Sequence, residues 1–278
     1  MKISLFVVFF VLCLSAQAKV KNVLLIVSDD LKADALGCYG NKIAQTPHLD
    51  QLAKEGTLFR NAYCQGTVCK PSRASFMRGR RQGGKGITWG EHFINNGFSS
   101  TRVGKIFHMR VPGDIIPGTN GEDVAACWSA RYNMPGKEAH TPGNYACLNL
   151  NKFTTKLEGR QSTKMPFRMF VTVDYVGDGS DQPDWKAATK SIELLNELKK
   201  DDKPFFLACG IYRPHEPWFV PKKYFVPFPL DKIQLPPGYK SDDLDDLPPE
   251  GKRRGPNRYF AHIRKHKQWK PAVQAYLA

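Results

Sequence analysis

The run Cys69-Lys70-Pro71-Ser72-Arg73 places a nucleophile and an oxyanion binder within one helical turn. A cysteine reacts through its thiolate. Arg73 presents a planar fork of donors that matches an oxyanion. Pro71 fixes φ and lacks an N–H, which suits the first turn of a helix expected from about Ser72 to Arg78, with Gly79 as its stop. Cys69 then lies at the helix entrance, where converging backbone N–H groups favour an anion. The same residues also read as a partly buried cysteine ahead of an ordinary helix.

Three further groups lie at the ends of elements that can carry them to one place. Asp29 and Asp30 follow the apolar run Asn22 to Ser28, which reads as a fully buried, parallel strand. Two adjacent carboxylates are the hard oxygen ligands a calcium ion takes, and the carboxyl ends of such strands are where open α/β sheets build sites. Lys105 and His108 stand at the end of a strand expected over Ser99 to Ile106. His215 lies in Arg213-Pro214-His215-Glu216-Pro217-Trp218, just past the buried strand Phe205 to Ile211. A lysine offsets charge on an anionic substrate, and histidines move protons near neutrality.

Between these strands the patterning reads as helix. Thr46-Pro47 to Glu55-Gly56 carries an N-cap, a first-turn proline and a terminal glycine. Thr88 with Glu91 makes a capping box for a helix ending near Gly97. Trp185, Ala188, Ile192 and Leu195 recur at helical spacing over Asp184 to Lys200, and a last helix opens at Pro271 to Ala278. Thr57 to Ala62 reads as a short strand, and residues 109–166, rich in glycine, proline and asparagine, as an irregular excursion. Alternating strands and helices imply an α/β sandwich.

Residues 1–18 have the charged, apolar and small-residue regions of a secretory signal peptide, with cleavage expected after Ala18. A periplasmic or secreted location follows. No later stretch is long and apolar enough to cross a bilayer. Export exposes the six remaining cysteines to an oxidising compartment, where Cys127 and Cys147 are the expected pair. No CxxC or zinc spacing is present. The formal charge of +15 suits a polyanionic partner. Its densest part, Lys252 to Lys267, carries no DNA-binding signature, so no specific nucleic-acid partner is expected.

In this order, Asp29-Asp30, Cys69 to Arg73, Lys105, His108 and His215 resemble the site of the type I sulfatases, in particular the iduronate 2-sulfatase branch. The resemblance runs from Lys21 to the last residue. It implies an alkaline-phosphatase-like α/β sandwich with a mostly parallel sheet flanked by helices, residues 19–278 forming the N-terminal part of a catalytic domain incomplete at its C-terminus. It also implies that Cys69 is oxidised by a formylglycine-generating enzyme to formylglycine, the catalytic nucleophile and a metal ligand beside Asp29 and Asp30. The cation implied is Ca²⁺ rather than Mg²⁺, and the substrate class is sulfated saccharides. Arg73 and Lys105 stabilise charge, His108 orients or deprotonates a formylglycine hydroxyl, and His215 protonates the leaving alcohol.

Two departures from the pattern stand out. Lys70 occupies a position that usually holds a small residue. The Asp-His or Asp-Asn pair with which sulfatases complete their metal site is absent before Ala278, so low stability and weak activity are expected. A non-catalytic fragment binding sulfated glycans and a phosphate-ester hydrolase of the same superfamily are the alternatives. The second class generally uses threonine or serine where this chain has Cys69.

Overall fold

Phe205–Pro214 is the strand on which the rest of the sheet is laid. Phe206 and Ala208 point to one face and pack with Met77, Ile106, Phe107, Cys127 and Trp128. Phe205 and Leu207 point to the other and pack with Val103, Ala187 and Leu194. Successive strand residues face opposite ways, and here both faces are covered, so the run is apolar throughout.

A computed structural model describes residues 21–81, 84–111, 113–138, 168–234, 245–252 and 267–278, with residues 146–149, 153–154, 242 and 263. The expected signal peptide and most of the basic run after Lys252 lie outside the described residues. In chain order the elements are β1 (Asn22–Asp29), α1 (Pro47–Glu55), α2 (Cys69–Phe76), α3 (Trp89–Asn95), β2 (Ser99–Gly104), β3 (Ala130–Tyr132), β4 (Ala146–Asn149), β5 (Phe153–Thr154), β6 (Arg168–Tyr175), α4 (Pro183–Leu198), β7 (Phe205–Pro214), β8 (Trp218–Pro221) and α5 (Trp269–Leu277). A parallel sheet has the order β1-β7-β2-β3. A second, mixed sheet has the order β5-β4-β6-β8.

The expected helix starts hold at α3 and, through its proline, at α1, although Thr46 makes no side-chain cap hydrogen bond there and its hydroxyl instead accepts from the Gly37 N–H and donates to Asp50. The Thr88 hydroxyl accepts from the Glu91 N–H, and the Glu91 carboxylate accepts from the Thr88 N–H, a complete capping box at the start of α3. Proline occupies the first turns of α1 and α4. The signature helix starts earlier than expected: α2 begins at Cys69, and Pro71 sits inside its first turn, where a missing N–H costs nothing.

Three local expectations are corrected. β1 is parallel but not fully buried: Val23, Leu25 and Val27 pack on the core, whereas Leu24 and Ile26 are 45% and 61% exposed. It is one of the two edge strands of this sheet, and α4 lies over β7 and β2 instead. Thr57 to Ala62 forms no strand; it is irregular and mostly exposed, with Phe59 70% exposed. Cys127, expected in a disulfide, is a buried free thiol in the first core cluster.

At the carboxyl end of the parallel sheet, β2 and β7 approach unusually closely. A Cβ on Gly210 would stand 2.1 Å from the Lys105 carbonyl oxygen, and Gly104, at φ +70, faces Gly210 across the same gap. This bare backbone lets Lys105 turn inward. Gly210→Ala is expected to force the strands apart and cost about 1–3 kcal/mol, read as a fall in the urea midpoint at unchanged m-value.

Candidate functional site

Asp29 is the anchor. The β1–β7 register shifts between Ser28 and Asp29, a local irregularity of the kind that re-aims a side chain, and the Asp29 carboxylate is buried. Its Oδ1 accepts from Arg73 Nη2 at 2.6 Å, and its Oδ2 accepts from Lys105 Nζ. Arg73 Nη1 donates to the carbonyl oxygens of Lys105 at 2.7 Å and Ile106 at 2.8 Å. One carboxylate from β1, one guanidinium from α2 and one ammonium from the end of β2 thus form a buried cluster carrying an excess positive charge.

Burial pushes the Asp29 carboxyl up, but the charges of Arg73 and Lys105 outweigh it and hold the group below its ordinary value. For Lys105, burial pulls the ammonium down and Asp29 pulls it back only in part. Asp29 is therefore ionised at neutral pH and accepts from both basic side chains.

Cys69, half-buried at the start of α2, places its Sγ 3.3 Å from His108 Nδ1. Burial, and then the nearby Lys105 charge, keep the His108 pKa below its ordinary value. The ring is therefore neutral at pH 7, and Nδ1 can take a proton from a group at position 69. The Cys69 and Asp29 clusters share one electrostatic neighbourhood: Cys69 acts on Lys105, and Asp29 on His108.

The second pair is looser. Asp30 follows with φ 60 and a carboxylate open to solvent. His215 Nε2 lies 3.6 Å from Asp30 Oδ2, beyond hydrogen-bond length. His215 Nδ1 contacts the Glu216 carbonyl, and the flanking Arg213-Pro214 and Glu216-Pro217 bonds are cis. No direct bond joins His215 to the Cys69 or Asp29 clusters in the hydrogen bonds among the described residues.

Asp29 and Asp30 have the donor chemistry of a hard cation site, and the fit is partial. Asp30 is free to ligate; Asp29 would have to exchange a bond to Arg73 or Lys105. Among the described residues no group of three or more His, Cys, Asp or Glu side chains gathers to hold a metal.

Other contacts that shape the site were not readable from the sequence. Lys70 pairs with Glu122 at 2.6 Å on the surface, and the Glu122 N–H donates to the His108 carbonyl at 2.8 Å. That loop is tied to β2 by the buried Arg102, which donates to Asp123 at 2.7 Å and Asn120 at 2.8 Å. Arg213 Nη2 donates to both oxygens of Glu138 at 2.6 Å, while its Nε and Nη1 are buried without a hydrogen-bond partner. Asp184, in the first turn of α4, accepts the N–H groups of Tyr212 at 2.7 Å and Arg213 at 2.9 Å. This pins β7 just before its histidine.

The chain matches known proteins in both sequence and fold. Residues 21–101 match the sulfatase family model. The chain is 35% identical over 245 residues to mouse (Mus musculus) iduronate 2-sulfatase, covering 82% of this chain and 41% of that one. It is 32% identical over 284 residues to a sulfatase of Formosa agariphila, covering 92% of this chain and 52% of that one. It thus spans about half the length of the curated relatives it matches. A putative sulfatase from Bacteroides fragilis has the same fold, with a TM-score of 0.51, 22% identity and coverage of 95% of this chain and 59% of that one. In sequence the chain is thus similar to the sulfatases, most directly over residues 21–101, and in fold to a sulfatase α/β architecture.

Proposed function

We propose that this protein hydrolyses sulfate esters of saccharides in the manner of an iduronate 2-sulfatase, after export and oxidation of Cys69 to formylglycine. The observation that carries the reading is the contact between Cys69 and neutral His108 at 3.3 Å beside the buried Asp29, Arg73 and Lys105. A hydrated formylglycine supplies one hydroxyl to displace the alcohol from sulfur and a second whose deprotonation releases sulfate. His108 Nδ1 is placed to take the proton from that residue. Lys105 and Arg73 balance negative charge at the sulfate while held by Asp29, so they need little reorganisation when the anion arrives. His215, half-buried past the end of β7, gives a proton to the departing alcohol oxygen.

Asp30 and Asp29 are the residues that would hold Ca²⁺, which when bound would add positive charge next to the sulfate oxygens. The basic surface favours polyanionic saccharides.

The nucleophile is tested on the tryptic peptide Asn61 to Arg73, from protein exported by its host or coexpressed with a formylglycine-generating enzyme. Cys64 lies in the same peptide and serves as an internal thiol control. The expected result is loss of the thiol and gain of an aldehyde at position 69, with Cys64 unchanged. A free thiol retained at Cys69 would remove the proposed nucleophile.

A further inference from the structure

We infer that Tyr276 is a positioning residue for this site, clamping the turn that aims Asp30 and steadying the turn that carries His215; the catalytic side of the inference rests on the function proposed above. The β1–β7 ladder ends with Asp29 opposite Pro214. Asp30 and His215 are the next residue on each strand. Neither is fixed by strand pairing, although their side chains face each other at 3.6 Å.

Asp30 also holds φ 60, a left-handed conformation uncommon outside glycine, which aspartate adopts more readily than most residues and which local bonds can hold. The Tyr276 hydroxyl, from α5, bonds the backbone on both sides of this turn. It donates to the Asp30 carbonyl oxygen at 2.6 Å and accepts from the Lys32 N–H at 2.8 Å. One hydroxyl therefore uses a donor and an acceptor on the two sides of Leu31, closing the turn as a staple would.

The same side chain reaches the second turn. Its ring stands edge-on to Trp218, with centroids 6.0 Å apart and planes at 88°, a favoured aromatic geometry. Trp218 Nε1 donates to the Pro214 carbonyl at 2.5 Å, and the His215 N–H donates to Tyr212 O at 3.1 Å. α5 is itself seated by buried Ala272 and Ala275, and by Gln274 Nε2 donating to Phe228 O at 2.6 Å. The clamp thus has a fixed base.

The test uses the full chain with Tyr276→Phe, which removes only the hydroxyl, and Tyr276→Leu, which also removes the ring. Amide exchange at Lys32 reports the clamp, Tb³⁺ titration reports the Asp30 carboxylate, and the melting temperature is the control for global stability. Tyr276→Phe is expected to speed Lys32 exchange about tenfold and weaken Tb³⁺ binding about fivefold at unchanged melting temperature. Tyr276→Leu is expected to speed exchange at the His215 amide as well. Unchanged Lys32 exchange in Tyr276→Phe overturns the clamp. Faster exchange with unaltered Tb³⁺ affinity overturns the positioning of Asp30. A wild-type chain that binds no Tb³⁺ counts against the cation assignment instead, and the exchange rates alone then decide the clamp.

Discussion

Cys69→Ala is expected to reduce sulfate release by roughly 10⁴-fold or more, to the uncatalysed background, without lowering the melting temperature. The size of the loss follows from the role proposed: a covalent nucleophile has no substitute among its neighbours, and removing one member of such a unit costs nearly as much as removing all of it. The unchanged stability follows from its place in the structure. Cys69 is half-exposed, its side chain contacts His108, and α2 keeps its backbone bonds without the sulfur. Cys69→Ser separates two parts of the role. A serine beside His108 can be sulfated, but without a second hydroxyl on the same carbon it cannot expel the sulfate, so a burst of about one alcohol per chain should be followed by arrest. Burst kinetics with a chromogenic aryl sulfate distinguish the cases. Steady turnover by either variant would show that the nucleophile lies elsewhere.

The candidate residues were legible in the sequence because each sits on or beside a strand or helix whose period can be read. Asp29 ends β1, Lys105 and His215 follow β2 and β7, and Arg73 lies one turn into α2. Their partnerships were not legible. The sequence reading gives Asp29 to a cation and Arg73 and Lys105 to the substrate, whereas all three are bonded to one another. That depends on β7 lying between β1 and β2, and periodicity within a strand says nothing of strand order. The same blindness hid the coverage of β1, since an apolar run looks alike whether one face or both are packed. Tyr276 was out of reach for another reason: it lies 246 residues from Asp30, and a tyrosine in an amphipathic helix gives no sign that its hydroxyl closes a distant turn. Thr57 to Ala62 shows the converse, a strand-like composition that finds no neighbour to pair with.

Asp29→Asn carries the largest expected effect on stability. The substitution leaves Arg73 and Lys105 buried side by side with no counter-charge, and breaking a buried ion pair from one side costs roughly 3–5 kcal/mol, a large share of a typical total of about 5–15 kcal/mol. The second substitution Lys105→Met is expected to restore part of the loss, because it removes one of the two stranded cations and leaves Arg73 its bonds to the carbonyls of residues 105 and 106. Acid titration of the wild type gives an independent check with a definite sign. Asp29 is held below its ordinary carboxyl value, so over that window the unfolded chain binds the extra proton and stability rises with pH. The contribution is complete above the unfolded value of about 3.9 and is lost as pH falls through the lower folded value. Asp29→Asn should lack this component, so the stability gap between wild type and variant should narrow as urea midpoints are followed downward through that acid window. A gap that stays constant to the bottom of the range, or a double variant no more stable than Asp29→Asn, would mean that Asp29 does not hold the two cations by charge.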